Sequence, residues 1–165
     1  MRVAIIADIH EHRELFMVLL QKLEEIQPEY MLLLGDYGGP SEITRKLLKL
    51  HIPTYAIWGN NDGEVYKTIQ YFHKYPHATI GPKSYDRITL DGKNIFLTHY
   101  NDLVQPMAQS GLYDAIFYGH NHTAKEEVIG NTLVVNPGAV RGGHTPPSFA
   151  MWDTQSMQID YVLLE

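Results

Sequence analysis

Ala115-Ile116-Phe117-Tyr118-Gly119-His120-Asn121-His122 is the stretch from which the rest of the chain can be read. Its first four residues read as a buried strand and its last four as the loop at that strand's carboxyl end. In an extended backbone, side chains two apart point the same way, so His120 and His122 project together beyond the sheet. Paired imidazoles repel when both are charged and are at ease when neutral and bound to a metal. Alone, a His-x-His pair is more commonly surface decoration. Its weight comes from the other strand ends.

Working outward, Arg2 to Ala7 is a β-branched run that stops at Asp8-Ile9-His10, with the same i, i+2 spacing. It reads as a central strand covered on both faces. An amphipathic helix is expected from about His12 to Gln27, with Leu15, Leu19, Leu23 and Ile26 as its stripe and Pro28 ending it. Tyr30 to Leu34 is the next strand and runs into Gly35-Asp36, followed by a helix from about Ser41 to Leu50 with Ser41 as N-cap. Thr54 to Trp58 is the third strand and runs into Gly59-Asn60-Asn61-Asp62-Gly63; a helix over Glu64 to Lys74 follows. Three strand–loop–helix units in succession predict a parallel, right-handed arrangement, in which ligands gather at the carboxyl ends of the strands.

The pattern then changes. Ser84 to Leu90 and Lys93 to Thr98 form a hairpin through Asp91-Gly92, and His99 follows. A short helix, about Asp102 to Ser110, leads to the strand before His120. Lys125 to Ile129 and Thr132 to Val135 form a second hairpin through Gly130-Asn131, and Asn136 to His144 a glycine-rich loop. Phe149 to Trp152 and Met157 to Leu164 close the chain as an antiparallel pair. With no repeat or linker, residues 1–165 read as a single domain. An α/β half followed by a β-rich half predicts two packed sheets with helices outside.

Bulk properties narrow the chemistry. The chain has 165 residues, 44% hydrophobic and 19% charged, values of an ordinary globular protein. Its net charge of −6 argues against broad binding to long nucleic acid or to an anionic membrane. It contains no cysteine, which removes disulfides and thiolate metal sites. There is neither a membrane-length apolar run nor a leader pattern, so a cytoplasmic location is expected.

Seven residues of metal-ligating type thus stand at predicted strand ends: Asp8, His10, Asp36, Asn60, His99, His120 and His122. Four imidazoles and two carboxylates exceed what one ordinary metal takes and suit two. The ordered set Asp8-x-His10, Gly35-Asp36, Gly59-Asn60-x-Asp62, Thr98-His99 and Gly119-His120-x-His122 resembles that of the calcineurin-like metallophosphoesterases. Asn136-Pro137-Gly138 and the short length resemble that family's small bacterial and archaeal phosphodiesterase branch. The resemblance spans essentially the whole chain. It implies a four-layer α/β/β/α sandwich of two mixed sheets flanked by helices, and two divalent transition-metal ions: manganese first, with nickel, iron, cobalt or zinc as alternatives. It assigns Asp8, His10 and His122 to one ion, Asn60, His99 and His120 to the other, and Asp36 as the bridge. It implies hydrolysis of small phosphodiesters by attack of a metal-bridging hydroxide between ions about 3.5–4 Å apart. A homodimer or homotetramer is a further implication.

The chain departs from the family pattern in two places. Larger members carry a His after the motif Asn, used to protonate the leaving group or bind phosphate; here it is Asn61. An amide can hydrogen-bond a phosphoryl oxygen but supplies no proton at pH 7, which favours good leaving groups. His12 and His144 are the substitutes as acid. Asp62 is expected to fix its loop or a ligand rather than do chemistry. Tyr100 follows His99 where the family usually has Gly and adds bulk beside the substrate, and Arg141 is a candidate phosphate contact. Three rival readings share the fold: a phosphomonoesterase with the same site, a nuclease, and a non-enzymatic interaction scaffold.

Overall fold

The computed structural model describes residues 1–10 and 12–165. The first sheet has six strands: β1 (Arg2–Ile6), β2 (Tyr30–Leu33), β3 (Thr54–Ala56), β4 (Ala78–Ile80), β10 (Ser148–Asp153) and β11 (Ile159–Leu163), in the order β11-β10-β1-β2-β3-β4. Strands β1 to β4 run parallel, and β10 and β11 are added antiparallel. The second sheet has five: β5 (Tyr85–Leu90), β6 (Lys93–Thr98), β7 (Ala115–Tyr118), β8 (Lys125–Ile129) and β9 (Thr132–Asn136), in the order β5-β6-β7-β9-β8. Its three central strands are parallel, and both hairpin edges are antiparallel.

Alternation along β1 explains the layering. Val3, Ile5 and Ala7 face the second sheet, packing in one cluster with Ile95, Leu97 and Phe117. Ala4 and Ile6 face the other way, toward α1 (Arg13–Ile26), α2 (Glu42–Leu48) and α3 (Val65–Phe72). In the second sheet Phe96, Ile116 and Val134 turn outward under α4 (Val104–Gln109). Helices, sheet, sheet and helix therefore form four layers. Between the sheets, the Trp152 and Phe117 rings meet edge to face at 5.0 Å. Among the described residues, no helix is long and apolar enough to cross a membrane.

Several sequence expectations shift. Helix α1 begins one residue later than expected, with His12 as its cap, and ends at Ile26, with Gln27 as a left-handed C-cap before Pro28. It docks through Phe16, Leu19, Leu20 and Leu23, while the expected anchors Leu15 and Ile26 stay half-buried. Fully burying such a side chain is worth about 1.5–3 kcal/mol, so the docking rests on the former set. Helix α3 is shorter than expected, and the strand β4 behind it was not anticipated. Among the described residues, its strand pairing is with β3 alone, through Thr54↔Ala78 to Ala56↔Ile80. The helix expected over Asp102 to Ser110 splits into a 3-10 turn at Asn101–Leu103 and α4.

Candidate metal centre

The carboxyl ends of β1, β2, β3, β6 and β7 meet at one end of the sandwich. There the backbone is not extended, contrary to the i, i+2 reasoning from sequence. Asp8, His10, Asp36, His120 and His122 have φ of 53°, 51°, 55°, 71° and 53°. Left-handed residues of this kind are costly and collect where surrounding contacts impose them. The imposing contacts are visible: His10 N–H donates to Asp36 O (2.9 Å), and Asp8 N–H to Gly35 O (3.2 Å).

The loops sit so close that two glycines are obligatory. A Cβ on Gly59 would lie 2.1 Å from Asp36 Oδ1, and one on Gly35 would lie 2.5 Å from Gly59 N. The glycines preceding Asp36 and Asn60 therefore serve contact between the two loops.

The left-handed turns send the paired histidines to different places. His122 Nε2 lies 3.3 Å from Asp8 Oδ1 and 3.3 Å from His10 Nε2. His120 Nδ1 lies instead 2.9 Å from Asn60 Oδ1 and 3.3 Å from His99 Nε2. His99 Nε2 is 3.0 Å from Asn60 Oδ1. Between the two groups stands Asp36, whose Oδ2 is 3.7 Å from His10 Nε2 and 3.7 Å from His99 Nε2. All seven residues singled out from the sequence converge here.

The donor chemistry fits cations. Asp8 and Asp36 are 0% and 2% exposed, and among the described residues Asp8 Oδ1 has no hydrogen-bond partner. A buried, unpartnered carboxylate oxygen is costly unless a cation meets it. His99 Nδ1 is 2.8 Å from Leu34 O, an acceptor, so this nitrogen carries a proton and Nε2 is the ring atom left to turn toward the cluster. Nε2 lies 3.0 Å from Asn60 Oδ1, so a cation placed between them would take both atoms as ligands. Asp8, His10 and His122 make one group of convergent ligand atoms, and Asp8, Asp36 and His99 another. Burial lowers the His10 pKa, with Arg141 and His122 pulling in the same direction and Asp36 and Asp8 opposing, which favours the neutral ring that a metal needs.

Residues around the cluster have distinct placements. Asn61 donates from its amide to Asp36 Oδ2 (2.7 Å) and from its backbone to Asp36 Oδ1 (2.7 Å). The Tyr100 ring rests edge-on against His99 and His120, with centroids at 5.1 and 5.0 Å. Arg141 is exposed, with its backbone N–H on Asp8 O (3.3 Å). His12 is exposed at the start of α1, its Nδ1 accepting from Leu15 N–H (3.4 Å), and no contact joins it to the cluster among the described residues. His144 is exposed, its N–H on His122 O (3.2 Å).

Two residues outside the ligand set hold the loops. Asp62 accepts four backbone N–H groups: those of Asp36 and Gly59 (both 2.7 Å) on Oδ2, and those of Tyr37 (3.0 Å) and Gly38 (3.1 Å) on Oδ1. Burial pushes its carboxyl up, against the pull of these donors. Asn136, fully buried, donates to Gly119 O (3.1 Å) and Asn121 Oδ1 (2.9 Å) and accepts from Gly138 N–H (2.9 Å). In the sequence, Asn136 is marked only by its place in Asn136-Pro137-Gly138. Its side-chain contacts arise from loops that meet only in the folded chain.

Comparison with known proteins decides the family. The calcineurin-like phosphoesterase superfamily domain matches residues 1–157. The chain belongs to this family. A phosphodiesterase of Methanocaldococcus jannaschii is 27% identical over 168 residues, covering 100% of both chains. The solved structure of an archaeal phosphodiesterase superposes with a TM-score of 0.89 at 26% identity, covering 99% of this chain and 100% of that one. The phosphoesterase Yfce from E. coli has the same fold, with a TM-score of 0.69 at 22% identity over 100% of both chains.

Proposed function

We propose that this chain is a dinuclear-metal phosphodiesterase acting on small phosphodiesters. The observation that carries the reading is Asp36 Oδ2, placed equally between the nitrogens of two separate ligand groups. Asp8, His10 and His122 would hold one ion, Asn60, His99 and His120 the other, and Asp36 both. Two divalent ions, manganese the first candidate, would supply Lewis acidity toward the phosphoryl group and an activated water.

The chain's own residues do the rest. Asn61 orients the Asp36 carboxylate through two hydrogen bonds, one from its backbone N–H and one from its side-chain amide. Its amide has no proton to give at neutral pH, so the leaving group departs with its charge, which suits activated diesters. Arg141, beside Asp8 and His10, would meet a phosphoryl oxygen. Tyr100 narrows access over His99 and His120. Where a general acid is needed, as for monoesters, His12 or His144 would supply it. The reading covers residues 1–165 as one domain and extends to a cytoplasmic, homo-oligomeric protein. Its net charge of −6 disfavours long nucleic acid and anionic membranes as partners.

The test is hydrolysis by chelator-stripped protein after adding back Mn, Ni or Mg, comparing bis-p-nitrophenyl phosphate with p-nitrophenyl phosphate. Metal-dependent turnover of the diester with little of the monoester is the expected result. Preference for the monoester would overturn the diesterase reading, and no turnover with metal bound would favour a scaffold.

A further inference from the structure

The link from β4 to β5 crosses from one sheet edge to the other at the metal-centre end. From there an open groove runs down the outer face of the second sheet. A recess of about 270 Å³ beside Gly59 and Asp62 shares Pro82 and Lys83 with a larger cavity of about 540 Å³. The larger cavity shares Arg87 and Tyr113 with a third, of about 330 Å³. The groove thus begins at the loop that carries Asn60 and leads away from it.

Its lining combines stacking surface with positive charge. Tyr85 and Phe96 lie nearly parallel, 6.2 Å apart at 30°, and Tyr113 meets Phe96 at 5.3 Å. Tyr85 is 41% exposed, while Phe96, at 4%, is the floor. The Lys83 ammonium sits 5.2 Å above the Tyr85 ring and 3.3 Å from its hydroxyl. Register puts Arg87 opposite Phe96 and Tyr85 opposite Thr98, on the same outward face. Among the described residues, neither Lys83 nor Arg87 has a carboxylate partner within ion-pair distance. The nearby Asp86 pairs with Leu97 on the opposite face and accepts the Tyr55 hydroxyl at 2.6 Å.

Rings that offer a face to any base, flanked by unpaired cations, form the arrangement that holds single-stranded nucleotides. We propose that this groove binds the nucleotide arm of a phosphodiester substrate, with a base on the Tyr85–Phe96–Tyr113 surface and a flanking phosphate between Lys83 and Arg87. The inference rests on the diesterase reading for its substrate, but the groove itself needs no metal to bind. The overall acidity limits the ligand to a short one, because a long polyanion would meet repulsion beyond these two cations.

The probe is a 5′-phosphorylated thymidine dinucleotide, titrated by calorimetry into the full chain in chelator. Saturable one-to-one binding is expected, weakened at least tenfold by Lys83→Glu or Arg87→Glu and several-fold by Tyr85→Ala, each variant first checked for its fold by circular dichroism. With metal restored, Lys83→Glu should lower the ratio of kcat/KM for the dinucleotide over bis-p-nitrophenyl phosphate at least tenfold. Absence of saturable binding, or affinity unchanged in all three variants, would overturn the proposal. So would a concentration-dependent dimer that Tyr85→Asp dissolves, since the face would then belong to a second copy. Failure of the wild type to turn over bis-p-nitrophenyl phosphate would count against the diesterase reading alone, because the metal-free titration decides the groove separately.

Discussion

The amide nitrogen of Asn61 lies 2.7 Å from Oδ2 of Asp36, the oxygen that faces both ligand groups. The Asn61 side chain is thus bound to the carboxylate that lies between the two groups of candidate ligands. Removing the amide in Asn61→Ala loses a hydrogen bond to a charged group, worth about 1.5–3 kcal/mol when buried and less at this exposed position. Diester kcat should fall about tenfold with KM nearly unchanged. In Asn61→His a titratable donor returns, and the ratio of monoester to diester kcat/KM should rise at least fivefold. Steady-state kinetics on both p-nitrophenyl substrates decides; an unchanged ratio would remove the leaving-group argument.

Asp62 holds two loops with one carboxylate. Asp62→Asn turns an NH2 group toward two of its four backbone donors, leaving buried N–H groups unpaired at about 1–3 kcal/mol each. The expected outcome is a loss of about 2–5 kcal/mol in urea unfolding at pH 7, together with weaker metal uptake. A loss under 1 kcal/mol would show that the loops hold without it.

Asn136 ties the His120–His122 loop to the Gly138 turn. Asn136→Asp keeps the size and the acceptor but removes both donor contacts. Calorimetric titration should find metal affinity down about tenfold or more for both ions, because His120 and His122 serve different groups. Loss at one ion only would confine the role of Asn136 to one half of the loop.

Bound metal should also be visible as stability. A ligand at one hundred times its Kd adds about 2.7 kcal/mol. For a chain of this size that is roughly 5–10 °C in Tm. Differential scanning calorimetry with excess manganese should show this rise, chelator should abolish it, and His10→Ala should reduce it. Equal Tm values with manganese and with chelator would speak against a site that holds these ions tightly.

Much of this was legible before any coordinates. The strand ends stood out because buried parallel strands are apolar and their ligand-bearing loops are not. The turns Asp91-Gly92 and Gly130-Asn131 marked both hairpins. What was hidden is tertiary in origin. Strand β4 is three residues of mixed burial at a sheet edge, paired with β3, so no local period announces it. The helical stripe of α1 was misjudged because Leu15 and Phe16 are equally apolar in sequence and only packing chooses between them. The orientation of His120 and His122 was misread because left-handed backbone is imposed by neighbouring loops, not by these residues.

The separation of the clustered residues along the chain has a further consequence. Asp8 and His122 are 114 positions apart and sit on different sheets, as do Asn60 and His99. Neither pair can form inside one hairpin or one βαβ unit, and the loops between them must close before the contacts reward it. Metal capture during refolding would then mark the moment when the two sheets dock. An intermediate with only the amino-terminal half in place would expose Asp8, His10, Asp36 and Asn60, with no imidazole from the carboxyl-terminal half to complete either group.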